Sequence, residues 1–141
     1  MVRHVDLPRG LRTRLDVDKL RRAVSNVAAN ARDAMGGQGR LHLRARVEAQ
    51  PGPDGPTEVL ELVFADEGPG VAPEVRGRLF QPFVSAGKKG GTGLGLAVAR
   101  RFIEDHGGSL ELCDEAEAMA PGAHFRLVLP LLSPGVTKRA R

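Results

Sequence analysis

The 141-residue chain has no tryptophan, no tyrosine and a single cysteine, Cys113. One thiol cannot form an internal disulfide, so we expect a core-stabilised fold in a reducing compartment, the cytoplasm. No apolar run approaches the roughly 20 residues of a membrane span, and the N-terminus lacks the apolar stretch of a secretory signal. The sequence therefore predicts a soluble domain without membrane contact.

Aromatic residues are scarce, and positive charge is concentrated in one half of the chain. Residues 1–46 carry eleven Lys and Arg against four Asp, whereas the remainder carries ten against thirteen acidic residues. A basic half suits nucleic acid, a phosphate-bearing ligand or an acidic partner, although a solvated face is the commoner explanation for scattered arginines. With only five Phe there is little material for base stacking, which argues against nucleic acid as a partner.

Length and composition predict one domain. At 41% hydrophobic residues the chain can bury a single two-layer core, and no internal repeat or linker divides it. We expect the domain to span residues 1–132 and to be followed by a disordered basic tail over 133–141.

Hydrophobic periodicity predicts alternating helices and strands. A helix with apolar residues at spacings of three and four follows Asp16, and a second begins in the glycine-rich segment 90–96. Strict alternation over 40–48 predicts a half-exposed strand, paired as a hairpin with a more apolar strand over 59–65. A short helix over 73–79 and two strands, over 109–113 and 124–129, complete the pattern. The fold class is an α/β (α+β) two-layer sandwich with a mixed, largely antiparallel sheet, covered on one face by about three helices.

Three polar groups of residues could carry chemistry. Asn26 and Asn30 lie one turn apart on the polar face of the first helix, where a pair of amides suits cation or phosphate binding and a solvated face is the plainer alternative. Asp66-Glu67-Gly68-Pro69-Gly70 follows a buried strand, so Asp66 offers a rigid hydrogen-bond acceptor beside approachable backbone; an ordinary tight turn has the same composition.

The third group is the segment Gly90-Gly-Thr-Gly-Leu-Gly-Leu96 before a helix. Free N–H groups at a helix N-terminus attract phosphate, and Lys88 and Lys89 lie just upstream. It is not a Walker loop, because Gly87-Lys88 precedes Lys89 rather than Ser or Thr. It is not a Rossmann fingerprint either, because no strand precedes the glycines.

Together these groups resemble the ATP-binding catalytic domain of two-component sensor histidine kinases, in the group that includes gyrase-type and MutL-type ATPases. The matching segments are Asn26–Met35 (the N box), Asp66–Gly70 (G1), Leu79–Phe83 (F) and Gly91–Leu96 (G2). The resemblance covers about residues 16–130. It implies a Bergerat ATP-binding fold, with ATP and Mg²⁺ as ligands.

The resemblance also implies roles for individual residues. Asp66 would accept from the adenine amine, Asn30 would offer its oxygen to Mg²⁺, and Asn26 would act beside it in catalysis. A lid over 73–91 would be anchored by Phe80 and Phe83. The remaining nucleotide contacts would come from Asp33, Gly68, Gly70, Val71, Phe80, Lys88, Lys89, Thr92, Gly93, Leu94, Gly95 and Leu96.

Two departures refine the expectation. ATP-hydrolysing members typically carry a glutamate base four residues before the metal asparagine, where this chain has Asn26, so efficient hydrolysis is not expected. No phosphoacceptor box is present either, because His4 is followed by Pro8 and Gly10, which prevent a long helix. The sequence therefore predicts a catalytic domain that transfers phosphate to a histidine on a separate dimerisation domain, and indirectly to a response regulator. The alternative is a regulatory, anti-sigma-like nucleotide-binding module.

Overall fold

Five strands and three helices make up the described part of the chain. The computed structural model describes residues 2–6, 16–82, 95–113 and 120–131. The elements, in chain order, are β1 (Val2–Asp6), α1 (Val17–Ala34), β2 (Leu41–Gln50), β3 (Thr57–Asp66), α2 (Pro73–Arg76), α3 (Gly95–Asp105), β4 (Ser109–Cys113) and β5 (His124–Pro130). The predicted tail, 133–141, lies outside the described residues.

The strands form one sheet in the order β1-β2-β3-β5-β4. β2 and β3 form the predicted antiparallel hairpin, and β5 pairs antiparallel with both β3 and β4. β1 runs parallel to β2, so the sheet is mixed and largely antiparallel. α1 and α3 pack on each other and on the sheet. The predicted α/β sandwich is confirmed, whereas the sequence pattern did not predict β1.

Helix α1 begins and ends as its flanking residues dictate. The side-chain Oδ1 of Asp16 accepts hydrogen bonds from the backbone N–H groups of Asp18 (3.1 Å) and Lys19 (3.2 Å), which caps the first turn. The helix ends before Gly36 and Gly37, which adopt φ of 68° and 81°, a conformation that side chains disfavour. These signals fix the position of Asn30 and Asp33 in the last turns of the helix.

The hydrophobic core lies between the helices and one face of the sheet. Burying such side chains contributes roughly 1.5–3 kcal/mol each, which fixes the helices on the sheet. The core residues include Ala23, Val27, Phe64, Leu79, Leu96, Ala99, Ile103, Leu110, Phe125, Leu127 and Leu129.

The opposite face of the sheet carries charged side chains that are buried, which corrects the prediction that β2 is half exposed. Arg44 and His42 on β2 are almost inaccessible, as is Glu61 on the neighbouring strand. Glu61 accepts from Arg46 Nε (2.7 Å) and from Arg126 Nε, and Arg44 Nη2 lies 3.6 Å from it. Because the charges neutralise one another across three strands, these side chains can be buried.

Candidate functional site

A cavity of about 500 Å³ opens between the last turns of α1, the end of β3 and α2. Polar residues from α1 and β3 face small and apolar residues from the segment after β3. Its lining comprises Asn30, Asp33, Ala34, Asp66, Pro69, Gly70, Val71, Ala72, Pro73, Val75, Leu79 and Ala123. The cavity thus brings together residues of two separate sequence motifs, the N box and the G1 box.

Asp66, the last residue of β3, lies at the base of this cavity and is 1% exposed. Its Oδ1 accepts hydrogen bonds from the N–H groups of Gly68 (2.9 Å) and Ala123 (3.1 Å). Its Oδ2 is buried and has no hydrogen-bond partner in the described part of the chain. A buried acceptor without a partner costs about 1–3 kcal/mol, so the site is suited to a ligand that donates an N–H to this oxygen.

Glu67 secures the turn that follows Asp66. One carboxylate oxygen accepts from the backbone N–H of Arg40 (3.1 Å), and the other from Nε2 of the buried His42 (3.0 Å). The hydrogen bond from His42 holds the pKa of Glu67 below its usual value, with a further contribution from Arg40. Glu67 N–H also points to Met35 Sδ (3.3 Å). These contacts tie the turn to the beginning of β2 and the end of α1.

Two glycines shape the same turn. A Cβ on Gly68 would lie 3.1 Å from the Ala34 carbonyl oxygen and 3.2 Å from Asp66 Oδ1, so a side chain there would crowd both. Gly70 lines the cavity with φ of 82°, in the left-handed region that favours glycine. The turn therefore presents bare backbone to whatever occupies the cavity.

Asn30 and Asp33 reach the cavity from α1, whereas Asn26 makes a different contact. Asn30 is 7% exposed, and Asp33 lies in the next turn. Asn26 Nδ2 donates a hydrogen bond to the carbonyl oxygen of Gly95 (3.1 Å). The two asparagines thus lie on one helix but act at different places: one at the cavity, the other at the junction of α1 and α3.

Four predicted ligand-binding residues that the structure describes are not part of the cavity lining: Gly68, Phe80, Gly95 and Leu96. Phe80 packs edge-on against Phe125, with ring centroids 6.0 Å apart, and the Arg100 guanidinium lies 4.8 Å above its ring. Leu96 is buried in the core, because the first turn of α3 directs it toward the sheet. Phe80 therefore connects the segment after α2 to β5 and α3.

The other predicted contacts lie outside the described residues. These are Lys88, Lys89, Thr92, Gly93 and Leu94, and Phe83, the second expected lid anchor, also lies outside the described residues.

Sequence reasoning missed the contribution of the segment before β5. Ala123 lines the cavity and donates its N–H to Asp66 Oδ1, and the neighbouring Gly122 donates its N–H to the Asp66 carbonyl oxygen (2.9 Å). The only feature of the sequence that could have indicated this contribution is a glycine, Gly122, shortly before β5. Sequence alone does not reveal that this segment meets a residue 57 positions earlier.

The described residues contain no cluster of three or more His, Cys, Asp or Glu side chains that could hold a metal ion. Mg²⁺ usually keeps several waters and binds through one or two protein oxygens together with substrate phosphates. The carboxamide of Asn30 at the cavity fits that mode.

The chain belongs to the family of histidine kinase-, DNA gyrase B- and HSP90-like ATPases, whose family profile matches residues 15–133.

Individual relatives include a sensory histidine kinase and a nitrogen regulation protein. The sensory histidine kinase/phosphatase NtrB of Vibrio alginolyticus is 33% identical over 122 residues, which cover 84% of this chain and 33% of NtrB. Nitrogen regulation protein NtrY of Azorhizobium caulinodans is 35% identical, covering 92% of this chain and 16% of NtrY. This chain thus spans a third or less of these curated relatives.

Solved structures share the fold. A mycobacterial sensor histidine kinase, MprB, superimposes with a TM-score of 0.70 at 32% identity, over 92% of this chain and 82% of the MprB chain. Full-length ShkA, solved in complex with AMPPNP, gives a TM-score of 0.65 at 28% identity, over 94% of this chain and 26% of ShkA. Among the described residues, no helix is both long enough and apolar enough to cross a membrane.

Proposed function

We propose that this domain binds ATP with Mg²⁺ in the cavity at Asp66 and donates the γ-phosphoryl group to a histidine on a separate dimerisation domain. A response regulator would then receive the phosphoryl group. NtrB and MprB, both of which are histidine kinases, support this activity. The unpaired Oδ2 of Asp66 is the observation that carries the nucleotide assignment.

Adenine recognition follows from the chemistry of that oxygen. An ionised carboxylate only accepts hydrogen bonds, and the exocyclic amine of adenine is a donor. Guanine would present a carbonyl oxygen at the corresponding position, so two acceptors would face each other. The apolar walls of the cavity, Val71, Val75 and Leu79, suit the faces of a purine ring. ATP is therefore preferred over GTP.

The polar wall formed by α1 suits the phosphate end of the nucleotide. We assign to Asn30 the protein oxygen that holds Mg²⁺, which neutralises phosphate charge when bound. Asp33 lines the cavity one turn later and can order metal-bound water. We assign the remaining phosphate contacts to the segment that contains Lys88, Lys89, Thr92, Gly93 and Leu94, in which lysines and N–H groups complement negative charge.

The chain favours transfer over hydrolysis because position 26 carries no base. In transfer, the bond between the γ-phosphorus and the β–γ bridging oxygen breaks, a bond to an imidazole nitrogen forms, and the partner takes up the imidazole proton. The Asn26 amide cannot accept a proton from water, and its Nδ2 is engaged with Gly95. This chain's contribution is thus positioning and charge neutralisation. The reducing cytoplasm suits a domain with a single cysteine.

Titration with Mg²⁺ and ATP tests the site. Asp66→Asn keeps the shape but replaces Oδ2 or Oδ1 by a donor, so we expect affinity to fall about 10- to 100-fold, the loss of one hydrogen bond to a charged group. Asp54→Asn, in the exposed β2–β3 loop, is the matched control and should bind as the wild type does. Equal affinity of wild type and Asp66→Asn would reject the assignment.

Phosphotransfer is tested separately. The chain is mixed with γ-labelled ATP and its cognate dimerisation domain, and acid-labile, base-stable label on the acceptor is measured. Label on the acceptor that appears with wild type and is reduced with Asp66→Asn supports the proposed kinase activity. Saturable ATP binding without any transfer would instead support a regulatory nucleotide-binding module.

A further inference from the structure

The segment that leads into β5 wraps the end of β3 at Asp66. The Gly122 N–H donates to the Asp66 carbonyl oxygen (2.9 Å), and the Asp66 N–H donates to the Ala123 carbonyl oxygen (3.1 Å). The Ala123 N–H donates to the side-chain Oδ1 of Asp66 (3.1 Å). Both the backbone and one carboxylate oxygen of Asp66 are therefore held by two consecutive residues of a distant segment.

This close approach depends on the missing side chain of Gly122. A Cβ at that position would lie 2.0 Å from Asp66 Oδ1, 2.6 Å from the Asp66 carbonyl oxygen and 2.8 Å from the Gly68 nitrogen. Gly122 does not adopt a left-handed φ, so its backbone conformation is open to other residues. Glycine is required here for space.

We propose that Gly122 is a specificity-determining residue of the nucleotide site, because it admits the N–H groups that fix which oxygen of Asp66 faces the base. This inference rests on the proposed ATP-binding function. With Oδ1 saturated by Gly68 and Ala123, only Oδ2 remains to meet a ligand. A carboxylate held in one rotamer distinguishes an amine from a carbonyl at one position of the purine, whereas a displaced carboxylate does not.

Base selectivity measures this role directly. The full chain is titrated, with Mg²⁺, with ATP and with ITP, which carries a carbonyl oxygen where ATP carries the amine. Wild type is expected to prefer ATP by about tenfold or more, the range for a hydrogen bond to a charged group. In Gly122→Ala the ATP affinity should fall about tenfold and the preference should approach one, because the added Cβ displaces the carboxylate.

Asp54→Asn, in the exposed β2–β3 loop and away from the cavity, is the control. This variant should keep both affinities. Circular dichroism and thermal unfolding of all three proteins establish that the folded proteins are compared.

Amide hydrogen exchange tests the same contact without a substitution at Gly122. The Ala123 amide should exchange at least about tenfold faster in Asp66→Ala than in wild type, because its buried acceptor is gone, while the Leu127 amide in the middle of β5 is unchanged. If Gly122→Ala does not fold, this measurement still tests the hydrogen bond on which the proposed role of Gly122 depends. Unchanged exchange at Ala123 would overturn the inference.

The titrations distinguish failure of the proposed ATP-binding function from failure of the role assigned to Gly122. If wild type binds neither nucleotide, the proposed function fails. If wild type prefers ATP and folded Gly122→Ala retains that preference, only the role of Gly122 is overturned.

Discussion

Strand β3 carries two buried carboxylates whose hydrogen-bond partners differ. Glu61 and Asp66 are five residues apart, so their side chains lie on opposite faces of the sheet. They are similarly inaccessible, at 2% and 1% exposure. Both oxygens of Glu61 accept from arginine side chains, Arg46 and Arg126. Asp66 has one oxygen held by backbone N–H groups and the other without a partner in the described residues.

This difference in partners indicates that Glu61 stabilises the fold, whereas Asp66 is suited to ligand binding. On the face away from the helices, arginines from β2 and β5 compensate the charge of Glu61 and join three strands. On the helix face, no cation of the described residues lies against Asp66, and backbone dipoles alone hold it. A saturated carboxylate can only stabilise the fold, whereas Asp66 keeps an acceptor available for a ligand.

Removing the structural charge has the largest expected effect on stability. Glu61→Gln leaves the surrounding arginines without their shared partner, so we expect the free energy of unfolding to fall by about 2 kcal/mol. Because Arg46 and Arg126 are partly exposed, this loss of unfolding free energy should be smaller than that for a completely buried ion pair. Urea unfolding measures it. Glu58→Gln, exposed on the same strand, is the control, and equal stability of the two variants would contradict the structural role.

Acid should reduce the contribution of Glu61 gradually. Burial by itself raises the pKa of Glu61, but hydrogen bonds and positive charge from Arg126 and Arg46 outweigh it and hold the pKa below its ordinary value of 4.5. A carboxyl with a lowered pKa stabilises the fold above its unfolded pKa and loses that effect as the pH falls through the folded pKa.

The difference in unfolding free energy between wild type and Glu61→Gln should therefore be constant above about pH 5 and shrink below about pH 4.5. Urea unfolding across this range measures it. Glu67, whose pKa is also lowered, is present in both proteins and cancels. A difference that stays constant into acid would show that Glu61 does not act through its charge.

Asp66→Asn should have the smallest effect on stability. The substitution removes a buried charge that no cation compensates, so we expect the unfolding free energy to stay within about 1 kcal/mol of wild type, or to rise. The same variant loses nucleotide affinity, as argued above. Chemical denaturation without nucleotide measures this. A loss as large as that of Glu61→Gln would erase the distinction between the two carboxylates.

Local patterns predicted most of the fold. The spacing of Leu20, Val24, Val27, Ala31 and Met35 predicted α1, and the alternation over 40–48 predicted β2, because both signals lie within a few residues. β1 escaped prediction because it is short and pairs with a strand some 40 residues away, Val2 opposite Leu43. The burial of Arg44 could not be read from β2 alone, since its acid partner lies on β3.

The candidate site was predictable in part for the same reason. Asp66 and Asn30 stand in recognisable local motifs, and the structure brings both to one cavity. The contact of Asn26 with Gly95 and that of Ala123 with Asp66 join residues 69 and 57 positions apart. Such contacts depend on the packing of whole elements, which a local pattern does not encode.

The hydrogen bond between Asn26 and Gly95 limits which side chains position 26 can accept. An ionised glutamate at position 26 would offer only acceptors and would repel the Gly95 carbonyl oxygen, which now accepts from an amide. Installing a general base by one substitution would therefore weaken the joint between α1 and α3. A glutamate at position 26 would be compatible with this joint only if the first turn of α3 were rebuilt as well.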